Sequence, residues 1–158
     1  LGLQNPIAIR YPRGYGNTID WKKPFEKIAI GKGICLKEGK SIAVLSVGTI
    51  ANNVEEAIIL SENKKEIAHY DMRFIKPLDK NLLEEIFDHH QKIITIEDGV
   101  ITGGFGAAVL EFAADKSYKN RIKILGIPDT FIEHGNVMEL QKEIDLDINS
   151  LVKIFSRT

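Results

Sequence analysis

The chain has 158 residues, of which 44% are apolar and 27% charged, and its net charge is −1. This length fits one domain with a buried core, and the near-neutral charge argues against a nucleic-acid or anionic-membrane partner. Apolar runs stay below the roughly 18 residues that span a bilayer. The single cysteine, Cys35, fits a reducing compartment, so we expect a cytoplasmic protein. In its apolar stretch, Cys35 is predicted to be a small buried residue rather than a nucleophile.

The first 27 residues differ from the rest because prolines and glycines interrupt them. Residues 7–11 are predicted to form one short strand, which the segment 12–17 would then break. The chain starts with Leu1 rather than Met, which suggests that it begins inside a longer protein. We therefore interpret residues 1–27 as the end of one unit with a linker, and residues 28–158 as a domain.

From residue 28 onward, apolar runs typical of strands alternate with helical patterns. An edge strand or bent ribbon is predicted over residues 28–30 and 33–36. The later predicted elements are strands at 41–47, 67–72, 93–96 and 122–127, and helices at 50–61, 79–87, 103–115, 137–144 and 147–155. Asp79 and Asp147 are predicted N-caps, and Asn136 with Glu139 resembles a capping box.

Strands separated by helices of about 10 to 15 residues imply right-handed crossovers and a parallel sheet. The run at residues 41–47 is almost entirely apolar, as is typical of a strand covered on both faces. We therefore predict an α/β fold with three αβα layers. Its five-stranded sheet would be mostly parallel, with an antiparallel strand possible at one edge.

Ligands of such sheets favour the loops at the carboxyl ends of the strands, here residues 48–49, 73–77, 97–104 and 128–135. The acidic-glycine loop (residues 97–104) could cradle a phosphate at a helix N-terminus. It lacks both the lysine of a phosphate-binding loop and the dinucleotide spacing, so close packing of helix on sheet is the favoured reading. Glu97 and Asp98 are neighbours that point apart on a strand. Helix-dipole or interface contacts are favoured for them over acid–base work.

For the other polar candidates, a structural role is favoured over a functional one. Asp71 and Arg73 share one face of a strand, which favours an ion pair over a substrate clamp. Adjacent His89 and His90 do not share a helical face, so positive charge at a helix end is favoured over a metal pair. His134, in the proline-histidine loop (residues 128–135), is a weaker candidate for a general base because no nucleophile can be assigned to it.

Arg10-Tyr11-Pro12-Arg13-Gly14 is the strongest candidate for ligand contact. Two arginines flank a rigid proline, and each guanidinium offers a planar fork of donors to a phosphate. On charge alone, a solvated basic turn is an equally good interpretation.

Several segments together resemble the 1-deoxy-D-xylulose-5-phosphate synthase family, within the transketolase superfamily. They are residues 9–14, 30–33, 71–79, 97–106 and 126–135. The beta subunits of 2-oxo-acid dehydrogenases are the nearest rivals, but the Arg-Tyr-Pro-Arg-Gly segment and the Pro-Asp-x-Phe-Ile-x-His-Gly segment favour the synthases.

The resemblance implies that residues 1–27 end a pyrimidine-binding domain and form a linker, and that residues 28–158 form a transketolase C-terminal-like domain. The full enzyme would be a homodimeric transferase that uses thiamine diphosphate and Mg²⁺. It would condense pyruvate with glyceraldehyde 3-phosphate, release CO₂, and supply isoprenoid, thiamine and pyridoxal synthesis.

In that family the second arginine of the Arg-Tyr-Pro-Arg-Gly segment binds the substrate phosphate, a role that falls to Arg13 here with support from Arg10. The cofactor, the Mg²⁺ ligands and the catalytic residues would lie upstream, so the chain alone is expected to be inactive and to bind no cofactor. The alternatives are a stand-alone flavodoxin-like ligand module and a module that serves assembly alone.

Overall fold

The computed structural model describes residues 6–11, 24 and 26–157. In chain order, its elements are β1 (Ile34–Lys37), β2 (Ile42–Val47), α1 (Ala51–Leu60), β3 (Ile67–Asp71), α2 (Lys80–His89), β4 (Lys92–Val100), α3 (Phe105–Asp115), β5 (Arg121–Ile127), α4 (Val137–Glu143) and α5 (Ile148–Ser156). None of these helices is long or apolar enough to cross a bilayer within the part of the chain that is described.

The strands form one sheet in the order β1-β3-β2-β4-β5. Strand β1 pairs with β3 in antiparallel orientation, and the other pairs are parallel. The turn from β1 to β2 passes directly over β3, where a Cβ at Gly39 would collide with the Ile67–Ala68 peptide. The predicted mostly parallel sheet with an antiparallel edge strand is therefore confirmed.

Helices cover both faces of this sheet, which gives the predicted three layers. One apolar core lies between the sheet and helices α2 and α3, and the other lies between the sheet and helices α1 and α5. Phe105 and Phe155 are fully buried in the two cores, and burial of each such side chain contributes about 1.5–3 kcal/mol. Residues 42–46 of β2 are all buried, as the apolar run predicted.

Three helix starts confirm the predicted caps. The Asp79 carboxylate accepts a hydrogen bond from the N–H of Leu82, and that of Asp147 accepts from Asn149 and Ser150. Asn136 and Glu139 form the reciprocal capping box that opens α4. Each cap stabilises its helix by about 1 kcal/mol.

Two predicted strands and two predicted boundaries were wrong. Residues 7–11 and 28–30 lie outside any strand, and their isoleucines are exposed to solvent. Strand β4 runs four residues beyond the predicted end at Ile96 because Val100 still pairs with Ile127 of β5. Helix α3 begins at Phe105 rather than at Gly103. The acidic residue Glu97 is one of the residues by which β4 is extended.

Candidate functional site

Glu97 closes the N-terminus of helix α3 at the carboxyl end of β4. Its side chain is only 3% exposed. One carboxylate oxygen accepts from the N–H of Phe105 at 2.9 Å, and the other accepts from the N–H of Gly106 at 2.8 Å. A negative charge here satisfies free helix donors and complements the helix dipole. The anion-binding end of α3 is thus occupied by the domain's own carboxylate.

The glycines around Glu97 allow this close packing. A Cβ at Gly104 would collide with the Glu97 carboxylate, and a Cβ at Gly126 would lie 3.0 Å from Glu97 Cγ. A Cβ at Gly106 would lie 2.6 Å from Thr95 Oγ1 of the sheet. The predicted structural use of the glycines at 104 and 106, and the predicted helix-dipole contact of Glu97, are confirmed.

Arg10 reaches the same loop from the N-terminal segment. A Cβ at Gly99 would lie 3.2 Å from Arg10 Nη1 and 3.0 Å from Glu97 Oε2. Of the two arginines predicted to bind substrate, the structure therefore places Arg10 beside the acidic-glycine loop. Arg13 lies outside the described residues, so its role stays a prediction.

The Asp71–Arg73 ion pair lies at the end of β3. Arg73 Nε is 3.8 Å from Asp71 Oδ2, and the Arg73 N–H donates to Asp71 Oδ1 at 3.0 Å. Arg73 has a φ of 56°, in the left-handed region that residues other than glycine seldom adopt. The aspartate therefore stabilises an unusual turn, in agreement with the predicted structural pair.

Asp79 anchors the segment that precedes β1, a contact that sequence reasoning missed. Its carboxylate binds Lys32 Nζ at 3.0 Å and accepts from the N–H of Gly33 at 3.2 Å, in addition to capping α2. Burial acts to raise the pKa of Asp79, but the hydrogen bonds from Lys32, Leu82 and Gly33 outweigh it and hold that pKa below its usual value. The Gly31-Lys32-Gly33 motif was the available signal for this contact.

A second missed feature is a buried pair between neighbouring strands. Ser46 Oγ of β2 and His69 Nε2 of β3 are hydrogen-bonded at 2.8 Å. Burial, with a smaller effect from Lys37, lowers the pKa of His69 to about 4. Because Ser46 is 0% and His69 is 2% exposed, the hydrogen bond lies in the interior and joins the two strands. Period-two alternation on the two strands was the signal that could have found it.

The adjacent histidines lie at the C-terminus of α2, as predicted. His89 Nδ1 donates to the carbonyl of Glu85 at 2.7 Å, and His90 Nδ1 donates to that of Ile86 at 3.0 Å. Each ring thus adds a side-chain hydrogen bond to a backbone carbonyl in the last turns of the helix. Within residues 6–11, 24 and 26–157, no group of three or more metal-ligating side chains could hold a metal ion.

Two further predicted residues lie at the surface. Cys35 is exposed, so its predicted burial was wrong, because β1 lies at the edge of the sheet. Partial desolvation and the Glu38 carboxylate raise the pKa of the Cys35 thiol, which keeps it a poor nucleophile. His134 is exposed in the proline-histidine loop.

The family model for the C-terminal domain of transketolase matches residues 31–151. A 1-deoxy-D-xylulose-5-phosphate synthase of Phocaeicola vulgatus is 48% identical over 153 residues, which cover 96% of this chain and 24% of the relative. One of Bacteroides thetaiotaomicron is 51% identical over 152 residues, which cover 95% of this chain and 24% of the relative. These matches confirm the resemblance drawn from the motifs, and the chain spans about a quarter of the length of these curated relatives.

A solved structure shares the fold. It is a split-gene transketolase, described as an inactive beta4 tetramer, with a TM-score of 0.74 and 26% identity. The match covers 84% of this chain and 43% of that one.

Proposed function

Because the chain belongs to the transketolase C-terminal domain family, we propose that it is the C-terminal domain of a 1-deoxy-D-xylulose-5-phosphate synthase. The observation that carries the proposal is the 48–51% identity with such synthases over 95–96% of the chain. In this proposal, residues 1–27 end the pyrimidine-binding domain and form the linker, and residues 28–158 form the C-terminal domain.

The full enzyme would be a cytoplasmic homodimeric transferase that condenses pyruvate with glyceraldehyde 3-phosphate and releases CO₂. Thiamine diphosphate with Mg²⁺ supplies the chemistry of carbon–carbon bond formation when bound. The described residues do not fit that group, because no cluster among them could hold a metal ion and Glu97 occupies the N-terminus of α3. We therefore assign the cofactor to upstream protein.

The contribution of this chain would be binding and support. Arg13 would bind the phosphate of glyceraldehyde 3-phosphate, since a guanidinium offers two parallel donors to phosphate oxygens. Arg10 would support it from its place beside Gly99. The α/β domain would help to form the dimer and would be inactive alone. The solved split-gene transketolase, described as an inactive beta4 tetramer, supports this last point.

The test is an Arg13→Ala substitution in the full-length protein that carries this chain. A charge-assisted hydrogen bond contributes about 1.5–3 kcal/mol, so we expect KM for glyceraldehyde 3-phosphate to rise about tenfold or more. KM for pyruvate should change less than about twofold, because pyruvate carries no phosphate.

Arg121→Ala is the matched control, since Arg121 is an exposed arginine at the amino end of β5, whereas Arg10 lies beside Gly99 at the carboxyl end of the neighbouring β4. It should leave both KM values unchanged. Equal rises in the two KM values for Arg13→Ala would assign a structural role to that arginine and contradict the proposed phosphate contact.

A further inference from the structure

We propose that the upstream part of the full-length polypeptide docks on the carboxyl edge of the sheet. The docking surface is the carboxyl-edge face, defined by Ile75, Val100, Phe131, Val137 and Met138. All five side chains are exposed in this domain, from 43% for Val100 to 105% for Phe131. Groups of exposed apolar side chains mark interaction sites. This inference rests on the proposed function.

The fold brings these five residues to one edge. Ile75 follows β3, Val100 ends β4, and the other three follow β5. Strands β2, β3, β4 and β5 are parallel neighbours in one sheet, so their carboxyl ends lie at the same edge. The side chain of Asn53, in the first turn of α1, donates to that of Gln141 in α4 at 2.9 Å. Because α1 starts at the carboxyl end of β2, this hydrogen bond keeps α4 at the same edge.

The opposite edge of the sheet has a different surface. The segments at the amino ends of the strands, residues 38–41, 61–66, 90–92 and 116–121, are rich in polar and charged residues. None of the exposed large apolar side chains lies in these four segments. Apolar side chains scattered over a surface need no explanation, but apolar residues in the loops of one edge and polar residues in those of the other indicate that the two edges meet different surroundings.

Helix α4 has apolar side chains that its own domain leaves uncovered. It has only seven residues, and none of them is buried. Helices shorter than about 12–15 residues depend on packing for their stability, and the capping box supports only the first turn. Val137 and Met138 lie in that turn, 59% and 78% exposed. The helix is therefore of the kind that a docked partner would stabilise.

The N-terminal segment identifies the partner. Arg10 Nη1 lies 3.2 Å from the position of a Cβ at Gly99, so residues 6–11 pass the carboxyl end of β4. Ile7 and Ile9 in this segment are also exposed. The matched family model is that of a C-terminal domain, and the chain covers 24% of its synthase relatives. In the proposed enzyme, the larger part of the polypeptide therefore precedes this segment and is attached beside the carboxyl-edge face.

This attachment favours upstream protein over a second copy of the domain. A partner on the same polypeptide docks at a high effective concentration, whereas a second copy must first associate from solution.

The experiment measures oxidation of Met138 by hydrogen peroxide in the full-length protein, followed by peptide mass spectrometry. Peroxide converts accessible methionine to the sulfoxide. The chain has two methionines, and Met72, which is 0% exposed, is the internal reference for a folded domain. If the carboxyl-edge face is covered, Met138 should be oxidised at least about tenfold more slowly than free methionine.

Phe131→Ser tests the surface itself. Loss of one buried aromatic side chain should weaken docking and raise the oxidation rate of Met138 about tenfold or more, while Met72 stays protected. Leu60→Ser is the matched control. Leu60 is 63% exposed but lies at the C-terminus of α1, away from the carboxyl-edge face, so its substitution should leave Met138 protected.

The 158-residue chain distinguishes the two partners. Without upstream protein, Met138 should be oxidised as fast as free methionine at every protein concentration, while Met72 stays protected. Protection of Met138 that increases with the concentration of this chain would assign the face to a second copy and overturn the inference.

Two results with the full-length protein would also overturn it: rapid oxidation of Met138 in the wild type, or unchanged protection in Phe131→Ser. A wild-type protein that forms no 1-deoxy-D-xylulose 5-phosphate refutes the proposed function itself. An active wild type with a freely oxidised Met138 refutes only the docking surface.

Discussion

The two motif-bearing loops at the carboxyl edge of the sheet differ in what surrounds them. In the acidic-glycine loop, Glu97 is buried and closes helix α3. In the proline-histidine loop, Phe131 is fully exposed, and Glu133 and His134 are also exposed. Both loops carry segments from which the family resemblance was drawn. Packing within this domain explains the residue types of the acidic-glycine loop. Contacts among the described residues do not explain those of the proline-histidine loop.

Glu97→Ala is expected to have the largest effect on stability of the substitutions in these two loops. It leaves the N–H groups of Phe105 and Gly106 without their acceptor, and a buried unsatisfied group costs about 1–3 kcal/mol, so we expect a loss of about 4 kcal/mol in the free energy of unfolding. Urea denaturation of the 158-residue chain, followed by circular dichroism, measures it. Glu133→Ala in the other loop is the control, with a change below about 0.5 kcal/mol. Equal losses of stability in the two variants would show that the two loops do not differ in how they pack on the domain.

The pH dependence of stability should distinguish the buried His69 from the exposed His134. The pKa of His69 is lowered from 6.5 to about 4 in the folded chain, so below pH 6.5 the unfolded chain binds a proton that the folded chain excludes. Stability should fall by up to about 3 kcal/mol as the pH drops from 6.5 to about 4. His69→Asn should flatten this slope, and His134→Asn in the exposed loop should retain it. A wild-type slope in His69→Asn argues against the buried neutral imidazole.

Glycine-to-alanine substitutions in the two loops should cause smaller losses of stability than Glu97→Ala. A Cβ at Gly104 would collide with the Glu97 carboxylate and the Val100 carbonyl, and overpacking of this kind costs about 1–3 kcal/mol. We expect a loss of about 2 kcal/mol for Gly104→Ala and a smaller one for Gly135→Ala, whose neighbour is a flexible Leu140 side chain. Chemical denaturation ranks the two. The reverse order would mean that the acidic-glycine loop is loosely packed.

Phe131→Ser should have the smallest effect on the isolated chain. The side chain is fully exposed, and surface substitutions of this kind change stability by less than about 0.5 kcal/mol. The midpoint of urea denaturation should therefore match that of the wild type. A loss above about 1 kcal/mol would show that the proline-histidine loop packs on its own domain.

The sequence was informative where structure depends on neighbouring residues. Asp79, Asn136 and Asp147 stand directly before the helices that they cap, so the pattern of residue types predicted all three. The apolar run of β2 predicted a strand covered on both faces. The end of β4 was missed because Glu97, Asp98 and Gly99 are typical of a loop, whereas pairing with β5 continues the strand.

Contacts between distant residues could not be predicted in this way. Lys32 and Asp79 are 47 residues apart, and Ser46 meets His69 only because β2 lies beside β3. The approach of Arg10 to Gly99 likewise depends on how the N-terminal segment passes the sheet edge. The motifs included Lys32, Asp79, Arg10 and Gly99, but only the fold shows which of these contact each other. No motif included Ser46 or His69.

We propose that the thiamine chemistry belongs to upstream protein, which this domain supports. The most direct measurement compares formation of 1-deoxy-D-xylulose 5-phosphate by the full-length protein and by the 158-residue chain, each with pyruvate, glyceraldehyde 3-phosphate, thiamine diphosphate and Mg²⁺. We predict product from the full-length protein and none from the chain alone. Product formed by the chain alone would show that this domain holds the cofactor itself, and no product from the full-length protein would show that it is not such a synthase.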